Sequence, residues 1–525
     1  MAARLLFLMG WLLIAACVSV QAQMEQARRL ELPTNMEDNE SFDVTTLAER
    51  GVLVTIRKGG FYANDPAEFR FQAYNTDLRE LWTAQFKSDG RFEPRLSYHN
   101  HDYLYWLFQE VNTDNIQILR VNLQDGLTET FTGDLLDGFI VNHFKVVDNQ
   151  AYIGGTHNTR PVVMAFSFFD HTTKVLPGLY ANHIEISSIE VDPARREVHV
   201  LVHTQKRGCQ FSVRSYGYDA KPIRTLEFGG EDHNLISGKL LTVNDDELML
   251  IGNYSTDCTP YSQGIYVTRI SHGETGPADA DRIQYIEFSA LQNFFKYLKP
   301  KQQQKMQAKL DKRKLENRDT KFRYRLIVHD PILTDEGLLL VAEVYYPQYR
   351  GTALPYVVNA PRVGPAAVDR YFDTFRYTHA IVCGFDRQGN LLWDNCLAIQ
   401  ELESAELTEL VQVSQQNDKL VMAYPHKGEI HTEVIQGNRT VREVEKYSLK
   451  VGANDKQKIT DSENENLAAW YGQYFLACGF QKIVDDPRQG FNPREVFYLN
   501  KLTYSLAEKS GDDKEHSGAP NRSGK

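Results

Sequence analysis

One unit recurs along this sequence: a short strand, a polar turn, and a second, more apolar strand. The second strand begins at Gly51, Tyr103, Gln150, Glu197, Glu247, Gly337, Lys419 and Gln473. Turn-favouring residues precede it, as at Asp148-Asn149 and Asn244-Asp245-Asp246. Most copies are about 50 residues apart, a period typical of propeller blades and not of helical solenoids. The repetition therefore predicts an all-β architecture.

A hairpin follows each second strand, and its cleanest copy is 378–399. Two strand-like halves, His379–Phe385 and Leu391–Leu397, flank the turn Asp386–Asn390. Each repeat then holds four strands. We predict one β-propeller of eight four-stranded blades, with seven as the alternative if the first or last repeat is incomplete. The residues expected at equivalent places on the second strands are Val52, Leu104, Tyr152, Val198, Leu248, Leu339, Leu420 and Tyr474.

Two intervals exceed the repeat length, and both are interpreted as insertions into the propeller, which spans 41–507. Residues 292–318 are rich in helix formers, so we expect a helical insertion outside the blade sheets that can be deleted without loss of folding. Residues 347–377 are expected to form a loop. The last repeat lacks a fourth strand, which Leu30–Leu32 in the segment 23–40 would supply by closing the ring.

The two ends of the chain are expected to lie outside the propeller. Residues 1–22 have an apolar run and a small-residue cleavage pattern, which indicate a signal peptide and a periplasmic or extracellular protein. Lipidation at Cys17, giving a lipoprotein, is the alternative. No later segment is long and apolar enough to span a bilayer. Residues 508–525 are polar and are expected to be disordered.

The cysteines are expected to pair in part, because an exported protein meets an oxidising compartment. A turn centred near Gly389 and Asn390 would set Cys383 opposite Cys396 and allow a disulfide. A slip of one residue would place them on opposite faces. Cys209 and Cys258 lie in successive repeats and would join neighbouring sheets. Cys478 is predicted to be a buried free thiol.

Two hairpins carry a motif with a tryptophan near the start of the outer strand: AYNTDLRELW from Ala73 and GFDRQGNLLW from Gly384. This pattern resembles the repeat of the quinoprotein-like propellers. In catalytic members the resemblance implies pyrroloquinoline quinone beside calcium, often under a disulfide between adjacent cysteines. This sequence has no Cys-Cys pair. It is more similar to the non-catalytic relatives that act as scaffolds in the bacterial envelope, and we expect no cofactor and no bound metal.

Candidate functional residues occur in two turns between first and second strands. His99, His101 and Asp102 form the densest polar cluster, and two histidines with an aspartate suit metal binding or proton transfer. His329 and Asp330 stand at the equivalent place in the sixth repeat, where a buried pair would tune a base. Ordinary turn chemistry also explains both clusters. No linear motif of a calcium loop, nucleophile elbow, zincin or phosphate loop is present.

The net charge of the protein limits the kinds of partner that it can bind. Lysine and arginine number 58 against 69 aspartates and glutamates, giving a net charge of -11. This balance disfavours a nucleic-acid role. The exception is 296–318, with nine basic and two acidic residues. The interpretation that we favour there is a solvated helix packed by Phe294, Leu298 and Leu310; steering of an anionic partner or lipid surface is the alternative.

The sequence thus predicts an exported binding or scaffold propeller of the cell envelope, without enzymatic activity, whose rim loops hold a protein or glycan. The alternative is an envelope enzyme, either a quinoprotein-like oxidoreductase or a glycan-acting hydrolase or lyase. An enzyme should bring several carboxylates or histidines together on one apolar-walled pocket of the central channel. A scaffold should have a plugged or merely polar channel.

Overall fold

The structure is a computed structural model that describes residues 24–34, 40–60, 65–205, 209–229, 233–244, 246–271, 273–316, 318, 320–351, 370–452, 457–484 and 493–504. The predicted signal peptide at 1–22, Cys17 and the tail at 508–525 lie outside these residues. The described chain forms eight sheets arranged as a ring, with one α-helix inserted. This architecture is a β-propeller of eight blades, and it confirms the predicted fold.

The first four blades follow strand β1 (Met24–Pro33) in chain order. Blade 1 consists of β2 (Glu40–Thr46), β3 (Val52–Lys58), β4 (Glu68–Tyr74) and β5 (Glu80–Lys87). Blade 2 consists of β6 (Phe92–His99), β7 (Tyr103–Glu110), β8 (Asn115–Asn122) and β9 (Thr128–Asp134). Blade 3 consists of β10 (Ile140–Val147), β11 (Gln150–His157), β12 (Arg160–Ser167) and β13 (Thr173–Val175). Blade 4 consists of β14 (Ile184–Asp192), β15 (Glu197–Gln205), β16 (Cys209–Gly217) and β17 (Pro222–Phe228).

The other four blades carry the additions to the repeat. Blade 5 consists of β18 (Asn234–Asn244), β19 (Glu247–Ser255), β20 (Gly264–Ser271) and β22 (Gln284–Glu287), while β21 (Gly276–Pro277) pairs with β17. Blade 6 consists of β23 (Arg325–Val328), β24 (Ile332–Leu333), β25 (Gly337–Gly351), β26 (Arg370–Asp386) and β27 (Leu391–Ser404). Blade 7 consists of β28 (Gln412–Gln416), β29 (Lys419–His426), β30 (Glu429–Gln436) and β31 (Arg439–Ser448). Blade 8 consists of β32 (Lys458–Ala469), β33 (Tyr474–Val484), β34 (Arg494–Tyr504) and β1.

Hydrophobic packing between consecutive blades holds the ring together. Side chains of a strand alternate between its two faces, so each middle strand serves two interfaces. In β19, Leu248 and Leu250 pack toward blade 4, whereas Met249 and Ile251 pack toward blade 6. Eight such clusters run around the ring, and one of them joins blade 8 to blade 1. The eight residues predicted for the second strands all lie on β3, β7, β11, β15, β19, β25, β29 and β33.

The ring is closed by the N-terminal strand. β1 pairs antiparallel with β34 from Met24 opposite Tyr504 to Pro33 opposite Val496. It therefore occupies the outer place in blade 8 that the sequence leaves empty. Trp470 of blade 8 adds a second link, because its indole N–H donates to the carbonyl of Gly51 in blade 1 at 2.9 Å.

The prediction that residues 347–377 form a loop is wrong at both ends of this segment. Residues 347–351 continue β25 and residues 370–377 belong to β26; the residues between them lie outside the described chain. β27 extends alongside as far as Ser404. Blade 6 therefore carries a three-stranded extension, because its sequence keeps the aromatic and β-branched character of strands through Tyr345, Tyr346, Phe372 and Phe375.

The insertion at 292–318 contains a 3₁₀-helix (Phe294–Tyr297) and helix α1 (Pro300–Leu315). It is helical, as predicted, but it is firmly anchored to the propeller. Phe294 is fully buried in the cluster between blades 5 and 6 and stacks on Phe288 with ring centroids 4.3 Å apart. Asp394 of β27 accepts the backbone N–H groups of Gln292 and Asn293 at 2.8 and 2.7 Å. The sequence led us to expect that this segment can be deleted without loss of folding. The burial of Phe294 argues against that expectation.

The cysteines follow the prediction in part. Cys209 and Cys258 form a disulfide between blades 4 and 5, as predicted. Cys478 is a buried free thiol, also as predicted. The pairing of Cys383 with Cys396 is wrong: both are buried free thiols, and Cys383 lies opposite Asp394 while Cys396 lies opposite Ile381. The turn is centred on Gln388, where the Asp386 N–H donates to the carbonyl of Asn390 at 3.0 Å, and not near Gly389 and Asn390. Cys396 therefore lies two residues beyond the position opposite Cys383.

Replacing Phe294 by alanine should destabilise the whole protein. Deleting a fully buried phenylalanine costs about 3–5 kcal/mol in the free energy of unfolding. Leu315→Ala on the same insertion is the matched control, because this leucine is 88 % exposed and its loss should cost less than about 0.5 kcal/mol. Urea unfolding followed by tryptophan fluorescence measures both. Equal effects of the two changes would show that the insertion is not part of the core.

Candidate functional site

The first strand of each sheet lies innermost and borders the central channel. β6 contacts β10, β10 contacts β14, β14 contacts β18, and β28 contacts β32 across blade boundaries. Each innermost strand, or the turn beside it, presents at least one ionisable side chain to its neighbours. The candidate site is the set of these channel groups.

Opposite charges alternate over blades 3 to 6. Lys145 of β10 and Lys239 of β18 lie on either side of Glu190 of β14. Lys239 donates to Asp330, which follows β23, at 2.6 Å. Lys145 also lies 5.3 Å from the ring centroid of Tyr98 in blade 2. This half of the channel is close to electrically neutral, because each carboxylate has a lysine beside it.

The pKa values in this half reflect burial and pairing together. Burial raises the pKa of Glu190, and Lys145 and Lys239 offset only part of this effect. Burial alone would lower the pKa of Lys239, but the ion pair with Asp330 raises it overall. Desolvation beside the channel would raise the pKa of Asp330, although solvent reaches its side chain directly, but Lys239 and, from blade 3, Lys145 lower this pKa overall. The four groups are thus electrostatically coupled across the channel.

His329 and Glu343 connect the channel to the interface between blades 6 and 7. The fully buried carboxylate of Glu343 accepts a hydrogen bond from the imidazole of His329 at 2.8 Å. It also accepts the backbone N–H groups of Leu410 and Val411, each at 2.8 Å. The other ring nitrogen of His329 lies 3.7 Å from a carboxylate oxygen of Glu409. Of the predicted candidates, His329 and Asp330 both lie beside the channel, but they do not form the predicted buried pair: Asp330 is exposed and pairs with Lys239, whereas His329 is buried against Glu343.

The other half of the channel, over blades 7, 8 and 1, is acidic. Glu409 precedes β28, Glu465 lies on β32, and Asp43 lies on β2. Burial raises the pKa of all three carboxyl groups, although solvent reaches Asp43 and Glu409 directly. Neighbouring groups lower each of these pKa values in part. His329 acts on Glu409, backbone N–H groups act on Glu465, and the Val44 N–H and His99 act on Asp43. Among the described residues, no lysine lies within salt-bridge distance of these three carboxylates, although Lys239 also lowers the pKa of Glu409.

A cavity of about 1380 Å³ lies against this acidic half. Its lining includes eight carboxylates: Glu40, Asp43, Glu401, Glu403, Glu406, Glu409, Glu463 and Glu465. The basic lining residues are Arg376, His426 and Lys427. Lys427 lies 3.8 Å from Glu401, so one carboxylate is already paired. The extension of blade 6 supplies the wall from 401 to 406.

Three aromatic rings form an apolar wall of the same cavity. Phe42 of blade 1 stacks on Phe497 of blade 8 with centroids 4.5 Å apart, and Phe480 packs edge-on against both rings. The cavity therefore combines carboxylates with an apolar surface, the composition expected of a ligand site. Its volume exceeds the roughly 300–1,000 Å³ typical of small-molecule pockets. A segment of a larger molecule fits it better.

The cluster of His99, His101 and Asp102 lies in the turn between β6 and β7. His101 and Asp102 are exposed and lie 2.6 Å apart. His99 and His101 line a separate recess of about 370 Å³ with Arg50. His99 approaches Asp43, but His101 and Asp102 are not among the residues that line the large cavity. Only one of these three residues is therefore near the candidate site.

Sequence reasoning missed Lys145, Glu190 and Lys239. A signal was available: each of these residues is a charge within an otherwise strand-like run, as in HFKVV, SSIEVD and GKLLTV. A charge at the first strand of successive repeats points to the axis of a propeller, where the innermost strands meet.

Neither a metal-binding cluster nor a membrane-spanning helix occurs among the described residues. Among the described residues, no group of three or more histidine, cysteine, aspartate or glutamate side chains is placed to hold a metal ion. Within the same part of the chain, no helix has the length and apolar character needed to cross a bilayer.

No protein family and no curated protein sequence matches the chain. Among solved structures, it is similar to a prolyl endopeptidase at 10% identity and a TM-score of 0.39, covering 84% of this chain and 53% of that one. It is similar to the polysaccharide lyase Uly1 at 10% identity and a TM-score of 0.37, covering 78% and 89%. The β-propeller domain of the Trilobed protease from Pyrococcus furiosus matches at 8% identity and a TM-score of 0.33, covering 75% and 94%. Likenesses this weak carry no argument about function, and the assignment of a propeller rests on the eight sheets. The narrower resemblance to quinoproteins gains no family match.

Glu343→Ala should destabilise the interface between blades 6 and 7. The change leaves two backbone N–H groups and His329 without their buried acceptor, which costs about 1–3 kcal/mol for each group left unsatisfied. Glu343→Gln should cost less, because the amide oxygen still accepts hydrogen bonds. Chemical denaturation of both variants, with the exposed Glu129→Ala as the control, tests this. A Glu343→Ala variant as stable as the control would contradict the assigned role.

Proposed function

We propose that the chain is an exported binding propeller that holds a cationic segment of a protein partner in the acidic cavity beside its channel. The observation that carries the proposal is the lining of this cavity, in which eight carboxylates face three basic side chains. With every carboxylate ionised and His426 neutral, the eight negative charges exceed the two positive ones by six. Lysine or arginine side chains would relieve this repulsion.

The apolar wall favours a polypeptide over a small cation or a glycan. Phe42, Phe480 and Phe497 offer aromatic surface beside the carboxylates, so a segment with both basic and apolar side chains is complementary to the cavity. Export is supported by the N-terminal signal pattern and is compatible with the disulfide between Cys209 and Cys258.

A glycan-acting hydrolase or lyase is the second candidate. It is favoured by one observation: burial raises the pKa of Asp43, Glu409 and Glu465, which face one cavity. Carboxyl groups with raised pKa values serve as general acids in such reactions. Release of reducing ends or unsaturated products from a panel of polysaccharides, lost in Glu465→Gln, would favour this candidate over simple binding.

Binding of a labelled octalysine peptide tests the proposal, with octaglutamate as the reversed charge. The triple variant Asp43→Asn, Glu409→Gln, Glu465→Gln should weaken octalysine binding about tenfold or more, since each charge pair contributes about 0.5–1 kcal/mol. The control triple Glu68→Gln, Glu129→Gln, Asp219→Asn changes the net charge equally at exposed sites outside the cavity. Its affinity should stay within about twofold of the unmodified protein. Equal losses in the two triples would mean that only the net charge matters, and would overturn the proposal.

Octalysine affinity should also fall at acidic pH. A carboxyl group with a raised pKa loses its charge at a higher pH than an ordinary one, so protonation of Asp43, Glu409 and Glu465 begins early as the pH falls. The peptide binds the ionised form, and its affinity is highest above these pKa values. Titrations from about pH 8 down to the ordinary carboxyl range near pH 4 should show a decrease that begins at a higher pH in the unmodified protein than in the Asp43, Glu409 and Glu465 triple variant. An affinity independent of pH would contradict the assigned carboxylates.

A further inference from the structure

Helix α1 carries a row of lysines that have no partner in the described part of the chain. Lys301, Lys305 and Lys309 follow one another at intervals of four residues and are exposed. At a rise of 1.5 Å per residue, their Cα atoms are spaced about 6 Å apart along the helix axis. They form a straight cationic row about 12 Å long.

The helix holds this row in a fixed position. Its opposite face is packed onto the propeller through Leu310, which is buried, and Met306, which is partly buried. Before the helix, Lys296 contacts the buried carboxylate of Glu433 at 3.1 Å. Met306 and Leu310 therefore hold α1 on the core, and the lysine row belongs to its exposed surface, together with Asp311, Lys312 and Leu315.

Some exposed lysines elsewhere in the described chain are paired with a carboxylate, whereas others, such as Lys174 and Lys458, are not. Lys87 pairs with Glu68 at 2.5 Å, Lys221 with Asp219 at 2.7 Å, and Lys321 with Asp257 at 3.0 Å. The row on α1 is distinguished by three lysines that lack a partner among the described residues and stand on consecutive turns of one helix, although the protein as a whole is acidic with a net charge of -11. Unpaired like charges in a row repel one another, and an external anion that lies along them would remove this repulsion.

The geometry points to a linear anionic polysaccharide as the partner of this row. A chain of negatively charged sugars repeats its charge along a line, so several of its charges can lie against the three lysines at once. A membrane surface fits less well. Helices that bind bilayers insert an apolar face beside their lysines, and the apolar face of α1 is buried in the protein. This site is separate from the acidic cavity and does not depend on the function proposed for it.

Heparin and polygalacturonate are suitable probes, with dextran as the uncharged polymer and vesicles of phosphatidylglycerol and phosphatidylcholine as the anionic membrane. The triple variant Lys301→Gln, Lys305→Gln, Lys309→Gln should bind the anionic polymers about tenfold more weakly at low salt. The control triple Lys87→Gln, Lys221→Gln, Lys321→Gln removes the same charge at paired sites and should lose less than about twofold. Because all six lysines are exposed, thermal unfolding should stay unchanged in both triples.

Three outcomes would overturn the inference. The first is that the unmodified protein binds neither polymer in about 50 mM salt. The second is that both triples lose affinity equally, which would assign the binding to net charge. The third is that vesicles bind through the α1 lysines while the polymers do not, which would assign the row to a membrane surface. Polymer binding that is lost only in the α1 triple supports the inference.

Discussion

The ring of eight sheets depends on the hydrogen bonds between β1 and β34. Without β1, the last sheet would end in an unpaired edge, because the chain after β34 supplies no further strand among the described residues. Two side chains reinforce the same junction. Trp470 donates to the carbonyl of Gly51, and the ammonium group of Lys501 donates to the carbonyl of Thr76 while lying 4.1 Å from the ring centroid of Tyr474. The first and last blades are thus joined by backbone, aromatic and cationic contacts together.

Closure also decides where the acidic half of the channel lies. Asp43 is near the start of the chain and Glu465 is near its end, and they face one cavity only because blade 8 packs against blade 1. On the other side of the channel, Lys145 and Lys239 neutralise Glu190 and Asp330. Charge is distributed unevenly around the channel because Lys145 on β10 and Lys239 on β18 both lie on the same side of it. A ligand that brings positive charge is complementary to one side of this channel and not to the other.

The fold was largely predictable from the sequence, because strand periodicity and turn chemistry are local signals. Leu104 and Leu420, for example, lie on second strands as predicted. The predicted pairing of Cys383 with Cys396 failed because the hairpin turns about Gln388 and not near Gly389 and Asn390, and such a displacement of the turn changes which residue of β27 lies opposite Cys383. The site was predictable only in part. His329 and Asp330 stood out as a polar pair, whereas Glu343 lies in the apolar run GLLLVAEVYY, and its role depends on the backbone of the next blade.

Complementation of the ring by a separate β1 peptide tests closure most directly. The measurement compares the chain that lacks Met24–Pro33, alone and with a synthetic peptide of this sequence, by thermal unfolding and by hydrogen exchange at the amides of β34. Closure by β1 predicts that the shortened chain unfolds at a lower temperature and exchanges these amides rapidly, and that the peptide restores both properties. A shortened chain with unchanged unfolding and unchanged protection of β34 would contradict the account.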